Sequence, residues 1–321
     1  MINNLLILTN MYPSDLNQKG IFVKELVLSL KKYCRTSPLV FNIDEQIDSK
    51  LKYILSIKRL YKFIRTNECK IINIHFGLSF IPLFILYPYI FLKKIKLVLT
   101  LHGSDLMGGR FVNLISNTAI MLSHSAIIVS QKMKGHVWKV NHHKLKVIPC
   151  GVDGMFKYAN REGWDKNKKL NIIFPSNPSR PEKNYYLFKQ LVLSLENQGI
   201  DVNEIIFDNL DRKQILEHLT SSNVLFLSSL REGSPQVVKE AVLTGLPVIS
   251  TDVGDVRDII SGIPYHKVII SSNVIDITNW IINDFDGGSI DKKIVDSKYS
   301  IYSNEIILKR VLDIYKQVLK E

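Results

Sequence analysis

Cysteine is scarce in this chain. Cys34, Cys69 and Cys150 show neither metal-ligand spacing nor a disulfide framework, so a reducing cytoplasm is the expected setting. The opening residues, MINNLLILTNMYP, have no basic n-region and no small-residue cleavage site, and do not read as a secretory leader. A run of bilayer length is also missing. The most apolar stretch, FIPLFILYPYIFL from Phe80 to Leu92, stops at 13 residues and contains two prolines, short of the roughly 20 a spanning helix needs. A core helix is expected there, with a dip into a membrane interface as the alternative.

Acidic residues are scarce in one half only. Residues 1–152 carry 21 Lys and Arg against 7 Asp and Glu, whereas residues 153–321 carry 21 against 23. The net charge of +12 therefore belongs to the N-terminal half. Either that half meets an anionic partner (a membrane surface, a phosphorylated acceptor or nucleic acid) or its lysines simply occupy solvated faces. The segment LKYILSIKRLYKFIR, Leu51 to Arg65, contains five Lys/Arg, no acid and apolar residues at helical spacing. Such a helix can lie on an anionic bilayer or pack its apolar stripe on a sheet.

What is abundant is alternation. NNLLILTN, CKIINIHFG, IKLVLTLHGSD, SAIIVSQ and LKVIPCG are short apolar runs ending in polar loops, as buried parallel strands do. Helical patterns separate them. KYANREGWDKNKK, residues 157–169, has no apolar period and reads as a linker or domain edge. The alternation then restarts with LNIIFPSN, EIIFDN, VLFLSS and PVISTD. Two doubly wound α/β domains in series are expected, over 1–152 and 153–304, without a detectable sequence repeat. NEIILKRVLDIYKQVLK forms a last amphipathic helix, and residues 305–321 are expected to pack back on the first domain.

In open parallel sheets, ligands bind beyond the carboxyl ends of the strands. His102 follows LVLTL, Lys183 follows NIIFP at a short distance, and Glu232 follows VLFLSSL. In SSLREGSPQVVKEAVLTGLPVIS the spacing predicts a loop carrying Glu232 and Gly233. A helix capped by Ser234 should follow, with Pro235 in its first turn, Glu240 two turns in and Gly245 at its end. A helix N-terminus beside two carboxylates offers a phosphate site next to hydroxyl acceptors, which points to a nucleotide sugar. Surface glutamates that are merely solvated are the plain alternative. His75 can line a binding loop or be a satisfied loop histidine, Asp105 is expected to hold the histidine loop, and His142 and His143 read as a solvated turn.

These motifs together resemble family 4 glycosyltransferases, which have the GT-B fold: two Rossmann-like domains with an interdomain cleft. EGSPQVVKE matches the family's Glu-x7-Glu signature, LHGSD its N-domain histidine loop and IPCGVD the crossing between domains. LTNMYP, KGIFVKE, FPSNPSRPEKN and DVGDVRD extend the likeness over nearly the whole chain. Within the family it is similar to teichuronic acid, capsule and O-antigen enzymes. The resemblance implies that Glu232, with the backbone amides of Gly233 and Ser234, holds donor-sugar hydroxyls. It further implies that Glu240 binds the ribose diol, His102 positions the sugar, and Gly20 opens the first loop near pyrophosphate and acceptor. Lys183 matches the pyrophosphate lysine. The arginine usual five or six positions earlier is replaced by Asn177 or Pro178, and Arg180 is expected to substitute.

The implied reaction is a retaining, metal-independent transfer from a UDP- or GDP-sugar, UDP being the default, to a growing cell-surface glycan on a lipid pyrophosphate. No cofactor and no nucleic acid partner are expected. The protein would sit peripherally on the cytoplasmic face of the membrane, its basic half on anionic lipid. A nucleotide-sugar epimerase and a non-catalytic scaffold of the same architecture are the rivals.

Overall fold

The computed structural model describes residues 2–14, 20–43, 51–270, 273–285, 288 and 290–320; Lys19 of the KGIFVKE motif lies outside them. The chain forms two compact units, Met1–Gly151 with Asn304–Glu321, and Val152–Ser303.

The first unit holds strands β1 (Leu5–Thr9), β2 (Leu39–Asn42), β3 (Ile71–His75), β4 (Lys96–Leu101), β5 (Ser125–Ile128) and β6 (Leu145–Val147) in one parallel sheet, ordered β2-β1-β3-β4-β5-β6. Its helices are α1 (Ile21–Leu30), α2 (Lys52–Thr66), α3 (Ile81–Leu92), α4 (Ser104–Met107), α5 (Arg110–Leu122) and, from the chain's end, α12 (Asn304–Lys320). Every residue of β1 and β3 is buried, because helices cover both sheet faces and leave no solvent side for alternation to mark. Leu5, Ile7, Ile71, Val98 and Ile127 face α1 and α12. Leu6, Leu8, Ile72, Ile74, Leu97 and Leu99 face α2, α3 and α5.

The apolar stripe of α2 does pack on the sheet, with Tyr53, Leu60 and Ile64 in the core. The run from Phe80 to Leu92 forms α3, with Pro82 in the first turn, where its missing N–H costs little. Only its inner side is core: Leu83, Leu86 and Ile90 are buried, but Ile85, Phe91 and Leu92 are more than half exposed. On the opposite layer, α12 is tied down by Tyr315, fully buried with its hydroxyl hydrogen-bonded to Asn73, and by Arg310, which donates to the Val147 carbonyl at 2.7 Å.

The second unit holds β7 (Leu170–Phe174), β8 (Val202–Ile206), β9 (Val224–Leu227), β10 (Val248–Thr251) and β11 (Lys267–Ile269), all parallel, in the order β11-β10-β9-β7-β8. Helices α6 (Tyr185–Glu196), α7 (Arg212–Ser221), α8 (Gln236–Thr244), α9 (Val256–Ile260), α10 (Val274–Asn283) and α11 (Lys292–Tyr302) complete it. The polar stretch 157–169 is no free linker. Trp164 is buried in the core beneath α6 and α10, and Arg161 donates to the Leu219 and Ser222 carbonyls at the end of α7. The edge strands β2 and β11 went unread in the sequence, whereas the edge strands β6 and β8 were read.

Both sheets share one topology. In each, the unit's first strand lies between its second and third, β8-β7-β9 in one and β2-β1-β3 in the other. Successive crossovers therefore leave on opposite faces at β1/β3 and at β7/β9. That switch point opens a crevice at the strands' carboxyl ends, where ligands of such sheets bind.

Candidate active site

In the second unit the switch point is charged. The loop after β7 runs into a short 3-10 turn, Pro181–Lys183, and the loop after β9 carries Glu232. Lys183 Nζ lies 2.5 Å from Glu232 Oε1, with both side chains about 85% buried. The same carboxylate oxygen accepts the Ser229 hydroxyl at 2.8 Å. Two further bonds latch the loops: Ser228 Oγ donates to the Lys183 carbonyl at 2.9 Å, and the Leu230 amide donates to the Glu182 carbonyl at 2.9 Å. Residues 49 apart in sequence are thus fixed side by side by strand neighbourhood. Arg180 does not join them. It is exposed, and its guanidinium forks Glu182 at 2.7–2.9 Å.

Glu240 is the fifth residue of α8, a little over one turn in and not two, because the helix starts only at Gln236. It is buried, and its carboxylate stands 2.8 Å from the guanidinium of Arg212, an ion pair without hydrogen-bond alignment. Arg212 opens α7, where Asp211 and Gln214 form a reciprocal capping box, and its guanidinium lies over the Phe156 ring at 4.5 Å.

The expected cap by Ser234 is overturned. Pro235 stands at the N-cap of α8, with no side-chain cap bond. The Ser234 hydroxyl instead donates to Asp255 Oδ2 at 2.6 Å and accepts from Lys239 Nζ at 2.6 Å. Lys239 is fully buried and also lies over the Tyr302 ring. Burial raises the Asp255 carboxyl, against the pull of Lys239, and pushes the Tyr302 phenol up to about 12. A buried cation and a buried carboxylate thus share one hydroxyl in the candidate donor loop, so each holds a partner it would be costly to lose. Gly254 completes this packing at φ +52°, where a Cβ would lie 2.5 Å from the Gly233 carbonyl oxygen; any side chain would drive the two loops apart. Gly245 ends α8 in the left-handed conformation, as its position in sequence suggests.

In the first unit the switch point is uncharged. Gly20, at φ +79°, precedes α1, and a Cβ there would lie 2.4 Å from the Met11 carbonyl oxygen. The His102 ring packs against Phe22 and Phe76, at centroid distances of 4.6 and 4.7 Å, and those two rings touch each other at 6.0 Å. Its Nε2 is 3.0 Å from His75 Nδ1, and its Nδ1 is 3.8 Å from Cys150 Sγ. Asp105 accepts the His102 amide at 2.6 Å and the Gly77 amide at 2.9 Å, which makes it the brace of the histidine loop. Burial raises its carboxyl to about 6, with those amides working the other way. Burial lowers His75 to about 3, and burial with its neighbour His75 holds His102 well below the ordinary imidazole range. His142 Nε2 donates to the Val137 carbonyl at 3.1 Å.

Sequence reasoning left Arg212, Lys239 and Asp255 without a role. Each stands in a quoted or adjacent stretch, but a lysine or arginine on a helix carries no sign that it is buried.

Residues 36–154 match the family described as Glycosyltransferase Family 4, and residues 186–274 match Glycosyl transferases group 1. Together they take in more than half of the chain. A curated relative from Bacillus subtilis, described as a teichuronic acid biosynthesis glycosyltransferase, TuaC, is 25% identical over 194 residues, covering 52% of this chain and 49% of its own. The match spans about half the length of that relative. Among solved structures, sucrose-phosphate synthase from Thermosynechococcus elongatus superposes with a TM-score of 0.76 at 13% identity, covering 99% of each chain. Anabaena HepE in complex with UDP and glucose gives 0.68 at 13% identity, covering 99% of this chain and 100% of its own. Two parallel α/β sheets of one topology, matched in fold by these structures and in sequence by two glycosyltransferase descriptions, make this chain a member of glycosyltransferase family 4 with the GT-B fold.

Proposed function

We propose that the protein moves a sugar from a nucleotide diphosphate sugar, UDP-sugar first, to a growing cell-surface glycan carried on a lipid pyrophosphate, with retention and without a metal. The observation that carries this reading is the Lys183–Glu232 pair at the β7/β9 switch point, with the Glu240 carboxylate set into the helix that follows. A lysine there meets a diphosphate, while Glu232 and the amides of Gly233 and Ser234 take sugar hydroxyls. Glu240, its charge balanced by Arg212, takes the ribose diol. The exposed Arg180 joins the phosphates by leaving the half-buried Glu182. Gly20 lets the first loop come close to pyrophosphate and acceptor.

In the transfer, the anomeric C–O bond breaks through an oxocarbenium-like state and its electron pair stays on the departing diphosphate. Lys183 stabilises that growing charge, a contribution on the order of 10²–10³ in turnover for one such donor. The acceptor oxygen bonds to the anomeric carbon on the face the diphosphate leaves, and its proton passes to the departing phosphate oxygen. His102 positions the sugar and transfers no proton.

The first unit supports a membrane-side acceptor. Helices α2, α3 and α5 cover one face of its sheet, and none of the three contains an Asp or Glu. Their outer sides leave Ile54, Leu55, Ile85, Phe91, Leu92 and Phe111 more than half exposed, beside Lys58, Lys62, Lys93 and Arg110. Apolar side chains among cations suit an anionic lipid surface, where each nearby Lys or Arg adds roughly 1 kcal/mol. Among the described residues, no helix is long and apolar enough to cross a membrane.

The test is a thermal-shift screen of wild type, Lys183→Ala and Glu240→Ala against UDP- and GDP-sugars. Wild type should be stabilised by its donor and both variants should lose most of the shift. Equal responses from all three would displace the donor site. An epimer formed from donor alone would favour the epimerase, and neither binding nor slow hydrolysis of any nucleotide sugar would favour the scaffold.

A further inference from the structure

One polar group in the first unit has no part in the reaction proposed above. His75, the last residue of β3, is 1% exposed. Its Nδ1 is bonded to His102 Nε2 at 3.0 Å, and its Nε2 is buried without a hydrogen-bond partner. An orphaned buried polar atom of this kind costs on the order of 1–3 kcal/mol. The ring lines a cavity of about 50 Å³ together with Asn73, Thr100, His102, Cys150 and Asn304, the remaining walls being largely aliphatic. That space admits a few waters, at roughly 10–15 Å³ each. No Asp, Glu, Lys or Arg lines it, so no carboxylate is present to favour an imidazolium. Of the titratable groups around the pair, Asp105 is bonded to backbone amides, Tyr315 to Asn73, and the Cys150 thiol lies 3.8 Å from His102 Nδ1.

Two facing ring nitrogens at 3.0 Å share one hydrogen: one donates and the other accepts. If His75 Nδ1 donates, His102 keeps its hydrogen on Nδ1, facing the Cys150 sulfur. If His102 Nε2 donates, His75 carries its hydrogen on the buried Nε2. The tautomer of His102 is therefore coupled to what His75 meets at Nε2. The Phe22 and Phe76 rings hold the plane of the His102 imidazole but carry no hydrogen-bonding information.

We propose that His75 is a positioning residue for sugar transfer: its Nδ1 bond fixes the tautomer and rotamer of the His102 imidazole. The inference rests on the transferase reading, because it assumes that His102 meets the donor sugar.

Three variants separate this role from packing. In His75→Asn the side-chain amide stands where Nδ1 stood; in His75→Gln it stands where Nε2 stood; His75→Phe keeps only the ring. Turnover of His75→Asn should stay within about fivefold of wild type, while the Gln and Phe variants should fall by about 10²-fold, the cost of misplacing a reacting partner by roughly 1 Å. KM for the donor should stay within about twofold in all three, since Lys183, Glu232 and Glu240 are untouched. Equal turnover in the three variants, high or low, overturns the proposal. The second readout is the ring ¹⁵N spectrum of His102. Wild type and His75→Asn should each show a single neutral tautomer that does not titrate between about pH 5.5 and 8, and His75→Phe a mixture. A His102 that titrates in wild type, or is a single tautomer in the Phe variant, also overturns it. Wild type without transfer or hydrolysis would sink the transferase reading, whereas the ring spectra still decide whether His75 governs His102.

Discussion

The two units wind their sheets in the same order, yet furnish the same crevice with opposite chemistry. At β7/β9, Lys183, Glu232, Glu240, Lys239 and Asp255 are nearly or fully buried, although the residues of that half come close to charge neutrality overall. At β1/β3, the crevice holds two neutral imidazoles, aromatic rings and a thiol, although that half carries all of the net positive charge. Net charge and site charge are thus separate properties. Lys58 and Lys62 lie on the exposed side of α2, where water or an anionic surface solvates them. The second unit's charges are desolvated in pairs, so each strongly holds whatever meets it.

The largest expected effect breaks the charged crevice. Lys239→Met leaves Asp255 buried against the Ser234 hydroxyl with no cation, and should cost about 3–5 kcal/mol, as removal of one partner from a buried pair does. Urea unfolding measures this, and Lys239→Met with Asp255→Asn should recover a large part. No recovery in the double variant would mean the two act independently.

The uncharged crevice should respond to acid. Unfolded imidazoles protonate below about pH 6.5, whereas burial keeps His75, His102 and, in the second unit, His266 neutral well below that value. Unfolding then takes up protons, so stability falls as pH drops from about 6.5 to 5, by roughly 1.4 kcal/mol per pH unit for each uncompensated proton. Asp105, raised by burial to about 6, takes up a proton in the folded state over the same range and opposes part of this slope. Denaturation midpoints across that range should decline on the acid side, and His75→Asn should lessen the decline. A flat profile would show that the imidazoles are charged in the fold.

The smallest effect concerns the exterior. Replacing Phe91 and Leu92 with Ser should weaken binding to anionic vesicles about tenfold, because each removes part of the roughly 1.5–3 kcal/mol available to a fully buried side chain. Co-sedimentation measures it. Equal binding of wild type to neutral and anionic lipid would remove the electrostatic argument.

Much of the architecture was legible in the sequence because buried parallel strands are continuous apolar runs. β1, β3 to β5, β7 and β9 each contain one, followed by a polar loop, whereas β6, β8 and β10 show only a shorter apolar pair. β2 and β11 were missed although Leu39–Phe41 and Val268–Ile269 are apolar runs of the same kind. Ser234 looked like a helix cap because capping is read from local order; the structure gave its hydroxyl to Asp255, 21 residues away. Trp164 and Arg161 looked like linker because their anchors lie in distant segments.

By itself the sequence determined which residues stand at strand ends: His75, His102, Lys183 and Glu232 each follow an apolar run, and Glu240 lies at a set distance inside the next helix. Tertiary structure alone decided who meets whom. Lys183 reaches Glu232 across 49 residues, His75 reaches His102 across 27, and Asn73 reaches Tyr315 across 242. Spacing along a chain reports a residue's own helix or strand. Parallel strands are joined by crossovers of a dozen residues or more, so side chains at their ends become neighbours only when the sheet is assembled.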